Sequence, residues 1–385
     1  MNIALHEIEP WLIEHQHARY NLGESGMVNQ PLGALLADVG ASVAELGAVS
    51  LGNSDTRGSL ALREAIAALH PGATADNVLV TTGTSEALWL YFHVRHRAGD
   101  NAVVPVPAFQ SLFEVPRYLG YELRALPLRP EDNFRLDLDA LARAVDARTR
   151  VVVLNSPQNP TGVVLRPHEV AAARRAARVV GAEVLADEHY RFMPLDPSPD
   201  ALLPTMYEPG GEVVALGSMI KCFGCVGLRV GWLVGPRDLL DACRDLKDYT
   251  THTVCALNEH VALQVLRGAP RLAPRLRGWL RSNVAAFGEL VARHPDVLAW
   301  TPPEGGLVAF PSLRAGVGVS SADFARALVA QTEVFVLPGE TFQRPGHFRV
   351  GFGLAPEDFT AALARWDHFL TRRGWARSGA SIGGR

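Results

Sequence analysis

The sequence predicts an α/β fold: a large domain built on a mostly parallel seven-stranded sheet, followed by a smaller α+β domain. Three observations point there. Between residues 77 and 234, short β-rich runs alternate with helical stretches, the pattern of successive βα units and hence of a parallel sheet. Several of those runs are unbroken in Val and Leu, such as Val151-Val-Val-Leu154, as strands buried on both faces require. After about residue 269 the texture changes to long Ala/Arg/Leu segments interrupted by β-like runs at 305–310 and 348–352.

Taken in order, residues 1–44 form an N-terminal segment expected to join the smaller domain. The large domain spans 45–268, with strands at 77–81, 102–105, 122–127, 150–155, 183–187, 212–216 and 229–234. Helices are expected between them at 85–97, 109–119 and 167–180. The smaller domain covers 269–373, and the Gly/Ser-rich stretch 374–385 is expected to be a frayed tail.

Composition narrows the function. The 385 residues are 48% apolar and 20% charged with a net charge of −3, ordinary for a globular chain. No basic stripe interleaves with aromatics, which argues against nucleic acid as a partner. No apolar run approaches the ~20 residues of a membrane helix, and the start lacks a signal-peptide pattern. A cytoplasmic location is the expectation, and four cysteines suit a reducing compartment. Cys222 and Cys225 form a C-x-x-C without a second ligand pair, so no metal is expected and the two are read as small packing residues.

Ligands of parallel sheets bind beyond the carboxyl ends of the strands, where the chemically capable residues of this chain fall. Lys221, in Ser218-Met-Ile-Lys221, can attach an aldehyde covalently and, once freed, move a proton at a substrate Cα. Asp187 ends an apolar run and can face a pyridine nitrogen, keeping it protonated. Asn159 and Tyr190 can hydrogen-bond a ring oxygen. Gly83, Thr84 and Ser85, ahead of a helix expected to begin near Glu86, suit a phosphate, with Ser218 and Arg229 completing the cradle. Phe109 can stack on a ring. Arg349 offers a bidentate grip for an α-carboxylate. Together these are the parts of a pyridoxal 5′-phosphate (PLP) enzyme acting on an amino acid.

The motifs Thr82-Gly-Thr-Ser-Glu-Ala-Leu88, Asn159-Pro-Thr-Gly162, Asp187-Glu-His-Tyr190, Ser218-Met-Ile-Lys221 and Gly227-Leu-Arg-Val-Gly-Trp232 resemble the class I/II aminotransferase family of fold-type I PLP enzymes over about residues 45–370. The resemblance implies the PLP-dependent transferase fold and a homodimer with shared active sites. One departure stands out: the stretch Leu51-Gly-Asn-Ser-Asp-Thr-Arg57 lacks the tyrosine that in this family reaches a neighbouring subunit's cofactor phosphate. That contact is either missing or passes to Asn53 or another group.

Within the family, Gly23-Glu-Ser-Gly-Met27, Pro107-Ala-Phe-Gln-Ser-Leu112, Leu128-Arg-Pro-Glu131 and Gly306-Leu-Val-Ala-Phe-Pro311 resemble the capreomycidine-forming hydroxyarginine cyclases of antibiotic biosynthesis. This likeness implies loss of a β-hydroxyl and ring closure by the substrate's own guanidine, with Glu24, Ser25 and Gly26 near the substrate and Glu24 pairing with the guanidinium. An ordinary aminotransferase would use every named cofactor residue equally well. A γ-elimination or γ-replacement on an S-adenosylmethionine-like substrate is a further alternative. The fold also serves as the effector-binding part of some transcription regulators, for which no DNA-binding stretch is seen before residue 20.

Overall fold

Seven strands form one sheet: β1 (Val78–Thr81), β2 (Asn101–Val106), β3 (Glu122–Pro127), β4 (Thr149–Asn155), β5 (Glu183–Asp187), β6 (Val213–Gly217) and β7 (Gly231–Val234). The computed structural model describes residues 2–196 and 202–372; the expected tail at 374–385 lies outside the described residues. Strand order is β1-β7-β6-β5-β4-β2-β3. Pairs from β3 through β6 are parallel, while β7 runs antiparallel between β6 and β1. Strands β1, β6 and β7 are buried at every position, β1 even at the sheet edge, which explains their unbroken apolar runs. Edge strand β3 is largely exposed and carries Glu122 and Arg124, which pair with each other, the charged edge that discourages pairing with another chain.

Register decides where chemistry can sit. Asn155, the last residue of β4, lies beside Asp187, the last of β5. Both therefore open on the carboxyl edge of the sheet, near the turns that follow β1 and β6.

Four helices matter for the site or its support: α1 (Ile8–Glu14), α2 (Gly83–Arg95), α3 (Ser111–Leu119) and α4 (Ala256–Arg293). α4 runs 38 residues without a break and contains Pro270 and Pro274. The change of texture at 269 thus falls inside a helix rather than at a linker. At Gly268 an added Cβ would lie 2.3 Å from Val39 Cβ. Glycine there lets the helix Leu32–Val39 pack directly on α4.

Beyond α4, Val308–Ala309, Phe348–Gly351 and Leu337–Pro338 form a three-stranded antiparallel sheet. The N-terminal pair Tyr20–Asn21 runs parallel to Val334–Phe335. Leu22 and Met27 are buried in the same core as Phe287, Phe348, Val350 and Trp366, so the chain start is tied to its end. Among the described residues no helix is long and apolar enough to cross a membrane.

Candidate active site

Turns after β1, β4, β5 and β6 converge with a loop at residues 22–28 and with the strand Phe348–Gly351 around a cavity of about 1060 Å³, open mouth included. Lys221, Asp187, Tyr190, Thr84, Ser85, Phe109, Asn159, Arg229, Arg349, Glu24 and Ser25 all line it.

The chain has two lysines, and their settings differ. Lys247 is fully buried and donates to the carbonyls of Thr56 (3.0 Å) and His252 (2.6 Å), so its amine is committed to structure. Lys221 faces the cavity, donating to Ser25 Oγ at 2.6 Å with Nζ 5.8 Å from the centre of the Phe109 ring. Burial, then the Arg349 charge, pull its pKa down to about 8, with Glu24 and Asp187 opposing. A lysine so placed is neutral often enough near neutral pH to act as a nucleophile or base.

Asp187 is pushed up to about 7, chiefly by burial; a hydrogen bond from His189 N–H to Oδ1 (3.2 Å) and the Lys221 charge work against the rise. A buried carboxyl in this state would gain from a cationic N–H donor. Tyr190 is raised above the ordinary phenol range by burial, and its hydroxyl donates to the Ser25 carbonyl at 2.9 Å. The Asn159 Oδ1 accepts from Arg349 Nη1 at 3.3 Å. Both side chains expected to reach a ring oxygen thus also hold protein partners.

Arg349 is 2% exposed. Its Nη2 donates to Gly23 O at 2.6 Å, while the buried Nε has no hydrogen-bond partner. An orphaned guanidinium donor inside a cavity fits a carboxylate.

The anion cradle differs in detail from expectation. Helix α2 starts at Gly83 rather than near Glu86, so Thr84 and Ser85 occupy its first turn. Their backbone N–H groups belong to the unsatisfied end of the helix, where an anion is favoured. A Cβ on Gly83 would lie 2.6 Å from Arg229 Nη2, and one on Gly231 would lie 2.6 Å from Gly83 C and Thr84 N. Two glycines therefore let the guanidinium cross the helix start. Arg229 makes no ion pair among the described residues.

Ser218 is not among the lining residues. Its hydroxyl donates to Val230 O at 2.6 Å and accepts from Ile220 N at 3.2 Å, which fastens the Lys221 turn to the approach of β7. Gly83 and Gly26 are likewise not among the lining residues. Cys222 and Cys225 are buried free thiols, raised by burial, Cys225 to about 12. Cys222 Sγ lies 3.5 Å from His189 O, a packing role beneath the site.

Six lining residues were missed by sequence reasoning, among them Ile8, Glu9 and Leu12 of α1 and the apolar Ile220 and Val226. The segment before α1 is pinned across the site. Ala4 N–H donates to Glu114 Oε1 (2.7 Å), Glu7 N–H to Gln110 Oε1 (2.8 Å), and Gln110 Nε2 to Leu5 O (2.8 Å). The i, i+4 spacing of Ile8 and Leu12 hints at an amphipathic helix but not at where it docks. His189 was also missed, although it lies within Asp187-Glu-His-Tyr190. Its Nε2 is buried without a partner, and burial lowers its pKa to about 3, so the imidazole is neutral.

These features fit PLP. A lysine held below the usual amine range, a buried acid with no ion pair among the described residues, an aromatic ring and a cationic helix-start cradle are present in one cavity. Lys221, Asp187, Phe109, Thr84, Ser85 and Arg229 could hold the group.

Comparison with known proteins agrees. The family described as aminotransferase class I and II matches residues 28–365. Capreomycidine synthase of Streptomyces vinaceus is 33% identical over 364 residues, covering 93% of this chain and 91% of that protein. Among solved structures, the PLP-dependent cyclase OrfR is 32% identical with a TM-score of 0.88, over 97% of this chain and 99% of that one. A PLP-dependent aminotransferase from Streptococcus suis is 25% identical with a TM-score of 0.90, over the same shares.

Proposed function

The chain belongs to the class I and II aminotransferase family of PLP-dependent enzymes, and from that membership we propose that it cyclises a hydroxylated arginine, with loss of a β-hydroxyl, in antibiotic biosynthesis. Similarity to a capreomycidine synthase and to a PLP-dependent cyclase supports this reading. The observation that carries it is the charge layout of the cavity. Buried Arg349 has a free Nε, while the exposed Glu9 and Glu24 line the same cavity, near enough to act on the Arg349 charge, and make no ion pair among the described residues. A cavity with both an unpartnered guanidinium donor and unpaired carboxylates suits a substrate that carries both a carboxylate and a guanidinium.

When bound, PLP supplies an aldehyde for covalent attachment and a protonated ring that withdraws electrons from Cα. In our reading Asp187 keeps that ring protonated, Arg229 and the start of α2 hold the phosphate, and Phe109 packs on the ring. Arg349 holds the α-carboxylate, and Glu24 with Glu9 hold the guanidinium. The Lys221 amine takes the Cα proton and later returns one. Helix α1 excludes water, and holding the guanidine near Cβ favours ring closure over capture by solvent. We also propose a homodimer, with the segment at 51–57 near the neighbouring site.

The alternative reading, amino-group transfer, is favoured by the likeness to an aminotransferase structure. Hydroxyarginine offered to the PLP-loaded enzyme without any 2-oxo acid separates the two. A cyclase turns over many equivalents and keeps its yellow colour. An aminotransferase stops after one equivalent and bleaches.

A further inference from the structure

Lys221 does not stand alone in the cavity: its amino group is hydrogen-bonded to the hydroxyl of Ser25 at 2.6 Å. Ser25 is 3% exposed and sits in a loop clamped from both sides. On one side Met27 N–H donates to Lys221 O at 2.8 Å, and a Cβ on Gly26 would already stand 3.4 Å from the same carbonyl. On the other, Gly351 N–H donates to Leu22 O at 2.7 Å and Val28 N–H to Gly353 O at 2.8 Å. A Cβ on Gly353 would lie 1.9 Å from Gly26 O, and one on Gly351 1.9 Å from Glu24 O. Only glycines permit this approach. The Ser25 carbonyl is itself held by the Tyr190 hydroxyl at 2.9 Å. The loop thus holds one hydroxyl rigidly against the one amine that moves protons.

We propose that Ser25 is the proton-handling partner of Lys221, passing the proton removed from Cα to the hydroxyl that leaves Cβ. The idea rests on the cyclase reading above and assigns its acid. A serine hydroxyl can accept from an ammonium while donating its own proton to a third oxygen. The step balances. Lys221 Nζ takes the Cα proton, and the C–H electron pair forms the Cα–Cβ double bond. The Cβ–O bond breaks towards oxygen, which receives the Ser25 proton and departs as water. Ser25 is re-protonated by Lys221, which returns neutral. Tyr190 is less suited to this task because its hydroxyl proton is engaged by the Ser25 carbonyl.

Two measurements on Ser25→Ala and Ser25→Thr test the pair. The first needs no substrate: the rate at which apoenzyme captures added PLP, followed by colour against pH. Wild type should show a midpoint near 8. Removing an acceptor from the ammonium should lower that midpoint by about one pH unit in the alanine variant, and threonine should restore it. The second uses hydroxyarginine in deuterated water with loaded enzyme. Ser25→Ala should keep Cα hydrogen exchange within a few-fold while release of water falls roughly 10²-fold; threonine should recover much of it. An alanine variant with an unchanged loading profile and unchanged elimination, beside an active wild type, overturns the relay and leaves the cyclase reading standing. A wild type that exchanges Cα hydrogen but never releases water removes the cyclase reading, and the relay falls with it.

Discussion

Asp187 binds its proton more tightly in the folded chain than in the unfolded one, because burial raises it from an ordinary 3.8 to about 7. A raised carboxyl makes folded apoenzyme lose stability as pH climbs through that window. Asp187→Asn removes the charge and should raise the apoenzyme melting temperature relative to wild type at pH 8, with little difference near pH 4. The same variant should bind PLP weakly. A shift equal at both pH values would show that burial of the charge is not the cause. On the exposed wall of the cavity, Glu9→Gln and Glu24→Gln should each raise KM for hydroxyarginine a few-fold, as expected of partly exposed charge pairs, and leave PLP affinity unchanged. Residue identity made Lys221, Asp187, Arg229 and Arg349 legible in sequence, since each is a distinctive chemical type at a strand end or in a β-like run. Side-chain direction was not legible. Ser218 has the right spacing for a phosphate, and in this structure its hydroxyl donates to Val230 O.

The strands were readable because burial on both faces writes itself as unbroken Val and Leu runs, and β3 and β5 match their expected bounds. The start of α2 was misplaced by three residues because Gly83 reads as a loop residue, whereas its positive φ of 76° begins the helix. Close packing here has a measurable consequence. Gly231→Ala would place a Cβ against the backbone of Gly83 and Thr84 and push the helix start away from Arg229. The dissociation constant for PLP should rise at least tenfold, read by fluorescence titration, while the melting temperature of the apoenzyme falls by only a few degrees. The docking of α1 could not be read at all, because it depends on Glu114 and Gln110 more than a hundred residues away. Glu114→Ala should release that segment, seen as faster proteolysis ahead of α1 and weaker substrate binding.

At the scale of the molecule, the chain start is woven between the Lys221 turn and the strand bearing Arg349. Cofactor end and substrate end are thereby fixed relative to each other by residues 22–28. This organisation was only partly visible in sequence, where Gly23-Glu-Ser-Gly-Met27 could be linked to the substrate but not to the lysine. Sedimentation of the loaded enzyme should give twice the chain mass, in keeping with the proposed homodimer. One direct measurement decides whether Lys221 is the covalent anchor and Lys247 structural. The yellow enzyme is reduced with borohydride, digested, and its peptides weighed. A phosphopyridoxyl mass is expected on the peptide containing Lys221 and none on that containing Lys247. A label on Lys247, or none on either, would contradict it.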